Sequence, residues 1–244
     1  KNGKVAAVPA VFTPDAGNMM DNQMPLSVLS ILAANKQIPA SLQARIAWTS
    51  WVRAVLIGDD AAAKKLAALM RPFNKAKWSL IDSYLAANTA DSRKFAAVFL
   101  MLQFSSANPN PGFGTANPDT YGDETGWWWS AAPIAKYETD NGPWSIEGID
   151  ADFLTAAQKA QAGKELAALK TVKAAPSYLA QAVLDYAAKY PADSRIPQAL
   201  HFAVKATHYG ITDNLSSALS KKCFQLLHSK YKSSPWTAKT PYYY

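Results

Sequence analysis

Apolar residues recur along most of this chain at intervals of three and four, the spacing that lines up one face of a helix. Pro25 opens the first such stretch, with Leu26, Leu29, Leu32 and Ala33 on its apolar side. A proline suits a first turn, where its missing N–H would be unpaired anyway. Pro39 and Ser41 open the second, whose apolar surface is Leu42, Ile46, Trp48, Trp51, Val52, Val55 and Leu56 before Gly58 stops it. Asp59 and Asp60 start a third with Leu66, Leu69 and Met70, ended by Pro72. Their negative charge suits the positive end of a helix dipole. A fourth covers about residues 77–87, with Trp78, Ile81, Tyr84 and Leu85 on one side, and a fifth runs from a capping Asp91 through Phe95, Val98, Phe99 and Leu102 to Phe104. The helical pattern returns over 152–173 (Phe153, Leu154, Leu166 and Leu169), 177–190, 196–209 with Gly210 closing it, and 213–232. No stretch sustains the alternation of a half-buried strand, so the pattern predicts an all-α chain. Short connections predict that consecutive helices pack as antiparallel pairs. Trp48, Trp51, Phe95, Phe99 and Phe104 read as core at this spacing rather than as a cofactor site.

Two regions break the pattern and divide the chain. Residues 1–24 hold no sustained period and read as an extended N-terminal arm, ahead of helical repeats over 25–106. Residues 107–150 hold five prolines, six glycines and seven aromatic residues. A stretch that long without secondary structure is functional or a linker, and its aromatic content argues against disorder. It is expected to be an ordered insertion before a second helical unit over 151–244.

Charge sharpens this division. The 244 residues carry a net charge of +7, but unevenly: residues 1–106 hold 12 basic and six acidic side chains, residues 107–150 one and seven, and residues 151–244 12 and five. An acidic insertion therefore sits between two basic helical units. No basic run or arginine-rich helix points to nucleic acid, and no apolar run is long enough to span a bilayer as a helix. The lone cysteine, Cys223, excludes an intrachain disulfide and reads as a small buried core residue. The first residue, Lys1, fits a processed chain or part of a longer one.

Self-comparison shows a repeat. Val183 and Phe224 each lie seven positions before a tyrosine, Tyr190 and Tyr231, and each tyrosine follows a lysine, Lys189 and Lys230. The two tyrosines are 41 positions apart, longer than the roughly 34 of a standard tetratricopeptide unit. The phrase Lys189-Tyr190-Pro191-Ala192-Asp193-Ser194, continued by Ile196-Pro197-Gln198-Ala199-Leu200, resembles tetratricopeptide-like repeats of bacterial envelope proteins of the BamD type. Ser233-Ser234-Pro235-Trp236 looks like a second copy. Ala203-Val204 stands where those repeats favour Leu-Gly, and Lys232 replaces a second proline. The match covers about residues 177–244. The phrase from Ala47 to Leu56 is similar to one in uncharacterised exported bacterial helical proteins. The resemblance implies an α-solenoid with a periplasmic, outer-membrane-associated or extracellular location, and no catalytic role. The chain's last residues, Thr240-Pro241-Tyr242-Tyr243-Tyr244, read as a segment capping the last groove, a cut-off repeat or a docking tag.

Candidate chemistry concentrates in the insertion. Tyr121, Asp123, Glu124, Trp127, Trp128, Trp129 and Trp144 combine aromatic faces with carboxylates, which suits sugar rings or cationic groups. Alternatively, the segment folds back as a plug, tryptophans inward and carboxylates toward lysines. Neither the adjacent Asp123 and Glu124 nor the histidines His201, His208 and His228 match a catalytic or metal-binding motif. No cofactor is expected. The reading that follows is a non-catalytic scaffold binding a protein or peptide, favoured to be acidic or extended, with Lys205, Lys221, Lys222 and Lys230 as cations and the three tryptophans as anchors. The rivals are a carbohydrate-binding or cell-wall-active protein and an accessory subunit of a larger complex.

Overall fold

The computed structural model describes residues 19–73, 75–104, 107–109, 151–209 and 212–244, and every regular element among them is helical. Helices α1 (Leu26–Ala34), α2 (Ala40–Ile57), α3 (Asp60–Met70), α4 (Trp78–Ala86) and α5 (Ala90–Gln103) form the first half. Helices α6 (Ala156–Lys170), α7 (Ala175–Lys189), α8 (Ile196–Tyr209), α9 (Ser216–Lys230) and the one-turn α10 (Pro235–Ala238) form the second. None is long and apolar enough to cross a membrane.

Local chemistry sets these boundaries. Gly58 ends α2 at φ 79°, a left-handed conformation open to glycine. Asp59 then caps α3 by accepting from the Ala62 N–H at 2.9 Å. Thr89 caps α5 in a reciprocal pair with Ser92, so the cap is Thr89, and Asp91 falls inside the first turn. Thr155 and Gln158 make the same reciprocal cap on α6. That cap starts α6 at residue 156, which leaves Phe153 ahead of the helix and 63% exposed, outside the apolar face the sequence assigned it. Residues 19–22 form a helical turn, and residues 1–18, the rest of the segment read as an N-terminal arm, lie outside the described residues. Met20 is buried in the core, and the Asp21 carbonyl is bound by Arg53, which together hold the turn down.

Consecutive helices pack in pairs: α1 with α2, α2 with α3, α4 with α5, α7 with α8 and α8 with α9. Second neighbours also meet, α1 with α3 and α7 with α9, and α5 joins the halves by touching α7 and α8. Helix α6 departs from this order and lies against α2. One core runs from Trp48 and Trp51 through Phe95 and Val98 to Leu200, Val204, Cys223 and Leu227. Trp48 and Trp51 are almost fully buried, 5.4 Å apart, and Trp51 meets Tyr84 edge-on at 5.5 Å. Truncating either tryptophan to alanine removes enough buried surface to cost about 3–5 kcal/mol.

The 41-residue register extends to whole elements. Helices α7 and α9 are both 15 residues long and begin 41 positions apart. Their final turns match: the Tyr190 N–H bonds the Tyr186 carbonyl, as that of Tyr231 bonds Leu227. The next helix is opened by Asp193, accepting from the Arg195 N–H, and in the second copy by Ser234, accepting from the Trp236 N–H. Each repeated tyrosine also reaches back to the preceding unit. The Tyr190 hydroxyl donates to Asp91 at 3.2 Å, and the Tyr231 hydroxyl to the Pro191 carbonyl at 2.9 Å.

A buried polar hub gathers the feet of the segment between the halves. Arg53, 1% exposed, donates to the carbonyls of Asp21, Met24 and Pro109 at 3.0, 3.1 and 3.3 Å. Gln23 accepts from the Ala151 N–H at 2.9 Å. Pro109 and Ala151, on either side of residues 110–150, are therefore both tied to residues 21–24 and Arg53. Glu165 of α6 accepts from the Leu26 N–H at 2.9 Å, supplying the cap that Pro25 lacks. Burial pushes the Glu165 carboxyl above its ordinary range, although that bond and the Arg53 charge favour ionisation.

Candidate functional site

The face of α8 that is not buried against α7 and α9 carries His201, Phe202, Lys205 and His208. It is framed by the α9 residues Lys221, Phe224 and His228. The segment after α10 crosses this face. Ser234 and Pro235 start the single turn of α10 and place Trp236 against His201 and Phe202, at ring distances of 5.1 and 5.7 Å. Thr240 then lies between two histidines. Its hydroxyl is 2.8 Å from His201 Nδ1 and donates to the Trp236 carbonyl at 2.8 Å. A hydroxyl has one proton to give, so His201 Nδ1 is the donor to Thr240. His228 Nε2 donates to the Thr240 carbonyl at 2.7 Å.

Residues 240–244 are non-helical and held along their length. The Tyr244 N–H donates to Ser220 Oγ at 3.3 Å, and the Tyr244 ring stacks on His208 at 3.7 Å. Tyr243 packs 5.4 Å from Phe224, with Lys221 Nζ 5.9 Å from its ring. Tyr242 stands perpendicular to Tyr244 and is 60% exposed. Residues 240–244 thus lie against α8 and α9.

A cleft of about 340 Å³ opens between α8 and this segment, lined by His201, Val204, Lys205, Lys239, Thr240, Pro241, Tyr242 and Tyr244. Burial, with the charges of Lys205 and Lys239, pushes the His201 imidazole down to about 4, so it is neutral near pH 7. Lys239 also lies 4.4 Å over the Trp236 ring. The proposed cations thus divide. Lys205 lines the cleft and Lys221 flanks the Tyr243 ring, whereas Lys222 and Lys230 are exposed on α9 and absent from the cleft wall. Lys239, which shares the site, carried no helical or repeat signal in the sequence, whereas Tyr242, Tyr243 and Tyr244 stood out there as a candidate groove-capping segment, cut-off repeat or docking tag. Tyr121, Asp123, Glu124, Trp127, Trp128, Trp129 and Trp144 lie outside the described residues.

A second concave region, between α5 and α7, has its polar groups engaged with one another. Phe95 stacks face to face on Tyr186 at 3.8 Å, and Lys189 pairs with Asp91 at 3.0 Å. Asp193 takes the Arg195 guanidinium at 2.6 Å and the Tyr186 hydroxyl at 3.0 Å. This region is a joint between the halves. Cys223 is fully buried, and burial pushes its thiol up to about 12, which removes it as a nucleophile at neutral pH. Among the described residues no cluster of three or more His, Cys, Asp and Glu side chains could hold a metal ion.

Compared with known proteins, the chain matches no family model, no curated protein and no solved structure.

Proposed function

We propose that this chain is a non-catalytic helical scaffold of the α-solenoid, tetratricopeptide-like kind that binds a peptide or an exposed segment of a partner protein. The observation that carries the reading is the seating of residues 240–244 across α8 and α9, where a non-helical segment is gripped by both main-chain bonds and ring contacts. A groove that holds one such segment offers the same donors and rings to another. The 41-residue recurrence of α7 and α9 supports the solenoid part of the proposal, because stacked helix pairs leave a continuous groove to which each unit contributes a little affinity. Lys205 and Lys221 beside that groove favour an acidic partner. The likeness of residues 177–244 to envelope repeats favours the bacterial envelope or exterior as the setting.

The test uses the full chain with Tyr242, Tyr243 and Tyr244 each changed to serine, which empties the ring contacts without shortening the protein. A labelled peptide with the sequence of residues 239–244 is titrated into it and followed by fluorescence anisotropy. Saturable binding is expected, weakened at least about tenfold in the unsubstituted chain because its own segment occupies the groove. An absence of binding with helical circular dichroism intact would overturn the proposal.

A further inference from the structure

We propose that the groove across α8 and α9 selects a partner segment of the pattern hydroxyl residue, proline, any residue, aromatic, aromatic, with His201, Phe224 and His208 as the side chains that read it. The inference deepens the peptide-groove reading and rests on it, taking residues 240–244 as the imprint of what the groove accepts. All three histidines of the chain contact that segment.

The first position is a seat for a hydroxyl. Thr240 is 3% exposed, and its Oγ lies 2.8 Å from His201 Nδ1 and 2.8 Å from the Trp236 carbonyl. His201 is neutral near pH 7, so the N–H at Nδ1 is its one ring donor. One donor and one acceptor suit a hydroxyl, which accepts and donates at once. A methyl in its place leaves both partners without that bond, and a carboxylate has no proton for the carbonyl. Trp236 belongs to α10, ahead of the segment, so the acceptor stays in place for another occupant. His228 Nε2 holds the main-chain carbonyl of the same residue at 2.7 Å, whatever its side chain.

The later positions differ in what they require. Pro241 has no N–H to satisfy and biases the residue before it away from helix, which carries the chain off α10. Tyr242 is 60% exposed and stands against Tyr244 of its own segment, so this position is open to other residues. The Tyr243 ring packs 5.4 Å from Phe224, which itself stacks on His228 at 4.1 Å. The Tyr244 ring stacks on His208 at 3.7 Å, and its N–H donates to Ser220 Oγ as a second main-chain anchor. Aromatic side chains use these ring faces, and an aliphatic one loses the stacking. Exchange of occupants is open to the fold: residues 240–244 belong to no helix, and Pro241, Tyr242 and Tyr243 are exposed. Segments of that kind open at a fraction of the free energy of global unfolding.

The test titrates labelled, end-blocked peptides into the full chain carrying Thr240→Ala, Tyr242→Ser, Tyr243→Ser and Tyr244→Ser, followed by fluorescence anisotropy. The parent peptide has the sequence of residues 239–244. Within it, Thr240→Val should weaken binding at least about tenfold, and Tyr243→Ala or Tyr244→Ala at least about fivefold. Tyr242→Ala should change it by less than about threefold, the scale of a surface substitution. When the chain also carries His201→Phe, the threonine and valine peptides should bind alike, which a general loosening of the groove would not produce. Phe224→Ala should likewise erase the preference for tyrosine over alanine at position 243. A preference that survives the substitution of its reader overturns that assignment. Parent binding that none of the peptide changes weakens keeps the groove and overturns the pattern. No binding of the parent, with helical circular dichroism intact, overturns the groove reading itself. A second measurement avoids the emptied chain: Thr240→Val alone in the full chain should speed amide exchange at Tyr244, and unchanged exchange contradicts the hydroxyl seat. An unsubstituted chain whose dimers the parent peptide dissociates assigns the seat to a second copy and overturns a separate partner.

Discussion

Replacing Arg53 by methionine removes the centre of the hub at the base of the fold while keeping most of the side chain's bulk. The guanidinium is almost fully buried and makes three bonds to main-chain carbonyls, those of Asp21, Met24 and Pro109. Burial lowers its basicity, and the charges of Asp21 and Glu165 work against that. Methionine would leave the three carbonyls without this donor and take a nearby positive charge away from Asp21 and Glu165. Removing one member of a buried charge cluster costs about 3–5 kcal/mol, mainly because the remaining groups stay desolvated. Against a typical total stability of about 5–15 kcal/mol, that loss is large. Urea denaturation followed by circular dichroism measures it, and amide exchange locates it at residues 21–24 and 107–109. Arg53→Lys should lie between the two, because an ammonium keeps the charge but lacks the planar fork that spans three acceptors. A loss under about 1 kcal/mol for Arg53→Met, with exchange unchanged, would refute the reasoning, since that is the scale of an ordinary surface change.

Other expectations follow from single contacts. Burial tends to raise the Asp193 pKa, but hydrogen bonds from Arg195 and Tyr186 outweigh it and hold the carboxyl below its ordinary value. Its contribution is therefore present above the unfolded-state pKa and is lost as pH falls through the folded one. Asp193→Asn should cost about 1–2 kcal/mol at pH 7 and progressively less in acid, as read by urea midpoints across pH. Cys223 should react with a thiol reagent only as fast as the chain opens, so labelling at neutral pH should match the unfolding rate; fast labelling of the folded chain would contradict its burial. Gly58→Ala should cost about 1 kcal/mol through backbone conformation alone, because a Cβ there meets nothing within 4 Å. A much larger loss in thermal unfolding would mean a steric clash that the structure lacks.

The helices were legible because their signals are local. Apolar spacing together with Pro25, Pro39, Gly58 and Asp59 placed α1 to α3 within a residue or two, and the Lys-Tyr repeat at Tyr190 and Tyr231 marked two equivalent helix ends. What was not legible depends on contacts far apart in sequence. Nothing near Glu165 says that it caps a helix 139 positions earlier, and nothing near Arg53 says that it binds the carbonyl of Pro109. The candidate site shows the same limit. Lys205 and Lys221 stood out as cations on helices, but their meaning comes from Thr240, Tyr243 and Tyr244, whose non-helical path has no sequence period. Phe153 shows the converse: an apolar residue just before a cap was assigned to a buried face, and the Thr155 cap left it in solvent.

The seating of the last residues against α8 and α9 underlies both the scaffold reading and the cleft, and it can be seen directly by nuclear magnetic resonance. The Tyr244 ring stacks 3.7 Å from the His208 imidazole, so its ring current should shield the His208 ring protons. In the unsubstituted chain those protons should lie upfield and show contacts to Tyr244, and Tyr244→Ala should return them to ordinary positions while helical dichroism stays unchanged. His208 resonances that are unshielded from the start and indifferent to the substitution would contradict the account.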